Sequence, residues 1–336
     1  TIDDGTCEYE TTVDYGLDLH YGANLVSFYA LPEDASLSNT MSSLDGIVTG
    51  IIGEGVAASP NPVLGWVGSL SEINPLSGYW VKVNEAAILE ISDANLTDAS
   101  AAIYDLHFGA NLISFPSPNA VGVGDAIPDD VEGNFLGVIG EGVAASPNPI
   151  LGWVGSLSEF EGGKGYWAKV DAAIAFSFLT DTDARININP IENNNLFNQS
   201  TEQAFYFIGD IDLGDLKGQT DIEMIKAYNN NVLVGHRYWN GAYTDVPAMG
   251  YDGTIETAGY CESGDNVEIT VVLDNGSEYA LFGETPNWSS NEIFTIESLS
   301  ISNDYMIPSD ISIIGAYPNP FNPSTIISYE THKDSD

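Results

Sequence analysis

Positive charge is what this chain lacks most. Its 336 residues carry 8 Lys and Arg against 49 Asp and Glu, a formal charge of −41. A surface of one sign repels nucleic acid and anionic headgroups and attracts divalent cations, so no nucleic-acid partner is expected. Cysteine is scarcer still. Cys7 and Cys261 form no CxxC pair, which excludes a zinc ribbon and a thioredoxin-type motif, and two cysteines do not make a disulfide scaffold. Either they pair with each other or Cys7 has a partner before Thr1. No run of about eighteen apolar residues exists, so no membrane insertion is expected. Thr1 is not followed by a basic and then apolar leader, which places any export signal upstream of it.

The patterns of catalysis are missing as well. There is no GxSxG elbow and no HExxH pair, and four histidines serve the whole chain. His20 and His107 each precede a Gly-Ala-Asn turn, His236 sits in the strand-like "VGHRYW", and His332 lies in a polar tail. Structural roles are expected for them, and no catalytic residue is assigned. "GEGVAASPNP" is rich in glycine but lacks the Lys-Ser/Thr ending of a phosphate loop. The chain reads as a non-enzyme.

What is present is repetition. "HYGANLVSF" at His20–Phe28 returns as "HFGANLISF" at His107–Phe115, and "GYWVKV" at Gly78–Val83 returns as "GYWAKV" at Gly165–Val170. Between them, "GEGVAASPNPVLGWVGSLSE" at Gly53–Glu72 returns at Gly140–Glu159 with the single change of Val63 to Ile150. All three blocks are offset by 87 residues, so no insertion separates them and the chain holds a tandem duplication. Two copies are too few for a solenoid, but two small β-domains can pack face to face. The stretch Leu31–Ile52 diverges from its copy and has room for a short helix.

A different unit begins near Asp183. "QAFYFIGDIDL", a hairpin folded at Asn229–Asn231 and a second with an Asn275–Gly276 turn predict a β-sandwich of about 120 residues. The expected architecture is all-β: two tandem duplicated small β-domains followed by an Ig-like β-sandwich. The expected boundaries are a leading segment over 1–17, module copies over 18–92 and 93–182, the sandwich over 183–302, and a linker with one strand over 303–336.

Three segments carry a resemblance. "YPNPFNPSTIISYE" at Tyr317–Glu330 resembles the opening of the C-terminal sorting domain of type IX secretion system cargo in Bacteroidota and related marine phyla. "TIDDGTCEY" at Thr1–Tyr9 resembles the end of an Asp- and Cys-containing repeat of such proteins. The "NLVSF…GYWVKV" unit and the segment Gln203–Asp252 resemble modules that precede the sorting domain. This chain has Leu233 where such relatives often carry a cysteine, so the resemblance supplies no partner for Cys261. It implies a piece of a longer protein, export by the type IX machinery, an extracellular or cell-surface location, and no known chemistry.

Two sets of site residues follow. Adjacent side chains of a strand face opposite ways, so Tyr79, Val81 and Val83 share one face of "YWVKV" while Trp80 and Lys82 share the other. Trp167 and Lys169 repeat that pairing. A lysine faces water, which predicts a duplicated Trp–Lys surface for a sugar ring or for protein self-association; the competing reading packs the Trp against the sister module. Asp210, Asp212 and Asp215 in "GDIDLGD" offer alternating oxygens to Ca2+, as do Asp181 and Asp183. The functional expectation is adhesion, extracellular assembly or display; the alternative is a carbohydrate-binding accessory region of a larger exported enzyme.

Self-repulsion at this charge makes stability depend on salt. The melting midpoint is expected to rise between low and roughly half-molar ionic strength, where screening acts within a few ångströms. A midpoint that stays or falls would show that the acids are already neutralised or too widely spaced to matter.

Overall fold

The computed structural model describes residues 12–180 and 196–301, with two further strands at Ser312–Tyr317 and Ile326–Glu330. It is 48% strand and 7% helix, and each α-helix among the described residues spans only four residues. The all-β class is therefore as the turn-punctuated sequence predicts.

Both repeat copies build the same five-stranded antiparallel sheet. In the first module the order is Gly22–Val26, Tyr79–Val83, Val48–Gly53, Val56–Asn61, Gly65–Gly68. In the second it is Gly109–Ile113, Tyr166–Val170, Phe135–Ile139, Ala144–Asn148, Gly152–Gly155. The registers coincide as well: Leu25 lies opposite Trp80 and Leu112 opposite Trp167. The same irregularity falls between Val48 and Gly50 and between Phe135 and Gly137. One face of each sheet closes a core under a second, thinner layer. Phe28, Ile51, Tyr79, Val81 and Leu89 fill the first core, and their repeat mates Phe115, Val138, Tyr166, Ala168 and Phe176 fill the second.

The short helix allowed for in Leu31–Ile52 is present as Leu37–Thr40. The first module extends beyond the expected 18–92. Its thin layer pairs Val13–Leu19 with Ala87–Leu96, so residues from Val13 belong to the sheet instead of a leading segment.

Side chains of the repeated motifs explain why these turns form. In "HxGAN" the glycine takes positive φ, +98° at Gly22 and +103° at Gly109, a region in which a side chain is strained. Asn24 then closes the turn: its Oδ1 accepts from the His20 N–H (2.8 Å), and its Nδ2 donates to the carbonyls of His20 (2.9 Å) and Gly22 (3.2 Å). Asn111 repeats all three bonds around His107 and Gly109. In the hairpin tips, Asn61 accepts the N–H groups of Val63 and Leu64, and Asn148 those of Ile150 and Leu151. A side-chain oxygen thus satisfies donors that no neighbouring strand reaches.

The third unit stacks two sheets around one core. Thr244–Met249, Gln203–Ile208 and Ile293–Ile296 form one; Val232–Tyr238, Ile222–Asn229, Glu268–Leu273 and Glu278–Ala280 form the other. Tyr206, Ile225, Val234, Val246 and Val271 fill the space between them. The first hairpin turns at Asn230 and Asn231, both at positive φ, where the sequence places it. Two strand pairings among the described residues are parallel, Gln203–Ile208 with Ile293–Ile296 and Ile211–Asp212 with Leu299–Ser300. Near the C-terminus, Ser312–Tyr317 pairs with Ile326–Glu330, two strands where one was expected.

Asn111 is buried, and its loss would orphan one N–H and two carbonyls. Asn111→Ala is expected to lower unfolding free energy by about 1–3 kcal/mol in urea titration. A change below about 0.5 kcal/mol would show that solvent takes over these bonds.

Candidate functional site

The two repeat modules clasp one another through a pair of equivalent glutamates. Glu54, in the turn after Val48–Gly53, reaches into the second module. Its Oε1 pairs with His107 Nε2 (2.6 Å) and its Oε2 accepts from the Leu112 N–H (2.7 Å). Its repeat mate Glu141 reaches back, to His20 Nε2 (2.5 Å) and to the Leu25 N–H (2.7 Å). Backbone bonds repeat the exchange: Gly78 N–H donates to Leu112 O and Gly165 N–H to Leu25 O, both at 3.1 Å. The modules therefore pair about a local two-fold axis, the isologous arrangement of a homodimer built within one chain. Ala23, Leu25, Trp80 and Leu112 form its apolar centre, with Trp167 packed against them.

This arrangement corrects the expected Trp–Lys surface. The strand alternation is as read, with Tyr79, Val81 and Val83 in the module core. Trp80, however, is only 2% exposed, and Trp167 is partly buried. Their indole N–H groups are both buried without an acceptor. Nor do the lysines face open water. Lys82 Nζ lies 3.0 Å from Asp252 Oδ2, and Lys169 pairs with Glu292, both acids belonging to the sandwich. In so acidic a chain an ammonium finds a carboxylate more readily than it stays in solvent. The competing expectation, a tryptophan against the sister module, describes what is found.

The sandwich seats itself on the second module. Phe205 and Phe207 pack on Ile139 and Ala144, flanked by Val154, Tyr243 and Ile293. Gln203 donates to Gly140 O (3.0 Å) and accepts from Gly142 N–H (3.2 Å). Arg237 donates to Gly142 O (2.6 Å) and to Asp245 Oδ2 (3.1 Å), and Ser156 Oγ donates to the same carboxylate (2.6 Å). Burial raises the Asp245 pKa against the opposing pull of Arg237. Burial would also raise Asp252, but hydrogen bonds from Thr254, Thr257 and Lys82 outweigh it and hold that carboxyl at about 2. Sequence reasoning missed Glu54, Glu141, Phe205 and Phe207. The near-identity of the "GEGV" blocks was the available signal for the two glutamates.

A cleft of about 470 Å³ opens where all three units converge, lined among others by Tyr21, Lys82, Glu141, Phe197, Gln199 and Glu256. Tyr21 is 57% exposed, and its hydroxyl donates to Glu256 (3.0 Å). Gln199 Oε1 is buried there with no hydrogen-bond partner.

The candidate calcium residues do not converge. Asp210, Asp212 and Asp215 are all exposed, Asp212 accepts from the Gly214 N–H, and Asp210 lines a separate cleft against the second module. No group of three or more His, Cys, Asp or Glu among the described residues is placed to hold a metal ion. Asp210 precedes the short strand Ile211–Asp212, Asp212 lies in it, and Asp215 lies in the turn that follows, so the three are not gathered at one point. Asp181, Asp183 and Cys7 lie outside the described residues. Cys261 is a buried free thiol whose pKa burial pushes up to about 12. His236 packs edge-on to Phe197. No helix among the described residues is long and apolar enough to cross a membrane. No family model, curated protein or solved structure matches the chain.

The glutamate brackets give the module pair a pH dependence. His20 is raised above its usual value, first by the Glu141 hydrogen bond. His107 is raised first by the Phe108 carbonyl, which accepts its ring N–H, and then by Glu54. A raised folded pKa contributes stability in full below the unfolded value of about 6.5 and loses it as pH rises through the folded value. The wild-type melting midpoint should therefore fall above about pH 6.5 relative to an E54Q/E141Q variant. Parallel curves for the two proteins would remove the glutamate–histidine pairs from the linkage.

Proposed function

We propose that this chain is a non-catalytic, exported surface protein serving adhesion, extracellular assembly or display, with the type IX machinery as its export partner. One observation carries the reading: side chains suited to chemistry are engaged in joining units. His20 and His107 bracket the modules, and Lys82, Lys169 and Arg237 fasten the sandwich. What faces outward in duplicate is apolar, Val63 and Leu64 at one hairpin tip (87% and 73% exposed) and Ile150 and Leu151 at the other (89% and 60%). Paired apolar tips on a strongly acidic body suit contact with another surface better than turnover of a substrate. The Tyr317–Glu330 motif and the charge of −41 support an extracellular location.

A second reading is favoured by the three-way cleft. An exposed tyrosine beside carboxylates, amides and an unpartnered Gln199 oxygen is the mix of apolar face and hydrogen-bonding edge that binds a sugar. In that case the chain is a glycan-binding part of a larger exported protein.

Negative-stain microscopy of material taken from cells is expected to show ordered assemblies or surface contacts, with glycoside, ester and peptide substrates turned over at background rates. Monomers with no surface association would end the assembly reading, and turnover lost on His236→Ala would end the non-catalytic one. Glycan-array binding abolished by Tyr21→Ala would favour the second reading.

A further inference from the structure

The module pair is two-fold symmetric, yet the sandwich lays its aromatic strand on only one half. In the second module that strand buries Ile139 and Ala144 completely. Their repeat mates in the first module, Ile52 and Ala57, are exposed, and Val67, the mate of Val154, is 37% exposed. The polar anchors have mates too. Ser156, which holds Asp245, corresponds to Ser69; Gly140 and Gly142, which hold Gln203 and Arg237, correspond to Gly53 and Gly55. Every one of these mates is the identical residue.

Folding of the module accounts for part of that identity: Ser69 and Ser156 accept the N–H of Ala57 and Ala144 in their own modules, and Gly55 and Gly142 take positive φ. It does not account for Ile52, Ala57 and Val67, whose side chains lie outside the module core. Core positions have drifted, with Val81 facing Ala168 and Leu89 facing Phe176 in the alignment of copies. Across residues 29–52 and 116–139 only 3 of 24 positions agree, namely Gly46, Gly50 and Ile52. One of those three marks the seat: the mate of Ile52 lies under Phe205 and Phe207, whereas a side chain at Gly137, the mate of Gly50, would strike the Ala145 carbonyl of its own module as well as Ile293. The apolar positions that the aromatic strand covers in the second module are the same residues in the first, whose corresponding face that strand does not cover.

We propose that the exposed face of the first module, built on Ile52, Ala57, Val67 and Ser69, is a second seat for a β-sandwich supplied by another polypeptide. The partner presents two aromatic side chains two residues apart on one strand, as Phe205 and Phe207 do, with a carboxylate beside them for Ser69. The chain's own sandwich does not fill it, because Phe205 and Phe207 are already fully buried on the second module. An intact second copy is excluded on the same ground. The inference rests on the assembly reading and gives it a site: a chain that holds one sandwich internally keeps an equivalent place for another.

The full-length protein supplies its own probe. A donor carrying A144R and A57R cannot seat its sandwich on either module and so presents Phe205 and Phe207; the wild-type chain is the acceptor. Sedimentation velocity should show a one-to-one complex, weakened roughly a hundredfold or more when the acceptor carries A57R alone. Three results would overturn the proposal: no complex although hydrogen exchange shows residues 203–208 of the donor exposed, equal binding by wild-type and A57R acceptors, or self-association of the wild type alone that A57R abolishes. If that donor fails to fold, an A144D/A57D donor serves in its place, and the absence of a complex with a donor whose residues 203–208 exchange would be equally decisive. Assemblies that persist in cell-derived material when A57R is introduced would sink this seat while leaving the assembly reading standing.

Discussion

The structure depends on a carboxylate that crosses from one module to the other and is used twice. Glu54 and Glu141 each accept a backbone N–H from an apolar strand and pair with an imidazole. The two N–H groups belong to Leu25 and Leu112, whose side chains sit in the apolar centre between the modules. A hydrogen bond to a charged group is worth about 1.5–3 kcal/mol net, and a buried donor left without it costs a similar amount. The bracket and the apolar centre therefore form together: apolar contact supplies free energy, and the carboxylates fix the register in which it is made.

Scarcity of cations shapes the rest. With a net charge of −41, most approaches between units bring acid against acid, and each basic side chain becomes a selective cross-link. Lys82 and Lys169 stand at equivalent positions in the two modules and both reach sandwich carboxylates. Arg237 joins the sandwich to the Gly142 carbonyl while neutralising Asp245. Exposed ion pairs contribute about 0–1 kcal/mol. Asp252 and Asp245 are almost wholly buried, so removing their cations would leave an uncompensated buried charge, which costs several kcal/mol. The duplicated lysines thus act in specifying how the third unit docks.

Docking of a single sandwich on a symmetric pair breaks the symmetry, and this gives otherwise equal copies different surroundings. The second module's hairpin lies against Phe207 and Tyr243 while the first module's stands in solvent. The clefts follow from the same asymmetry, since each opens along an edge of the sandwich.

Much of this was legible in the residues. An offset of 87 in three blocks implies one fold used twice, and alternation in "YWVKV" assigns Tyr79, Val81 and Val83 to the module core. Gly22 with Asn24, and Asn230 with Asn231, mark turns through local backbone chemistry that needs no distant partner. Exposure was not legible. Alternation tells which side chains share a face but not what covers it, so Trp80 beside Lys82 reads as a surface although the sister module and the sandwich enclose it. The same limit applies to "QAFYFI", whose six residues are all buried because one face meets its own core and the other the second module. Local propensity and periodicity are properties of neighbouring residues and are written in the chain; burial of the outward face and convergence of Glu54 on Leu112 join residues far apart, and only the packed structure decides them.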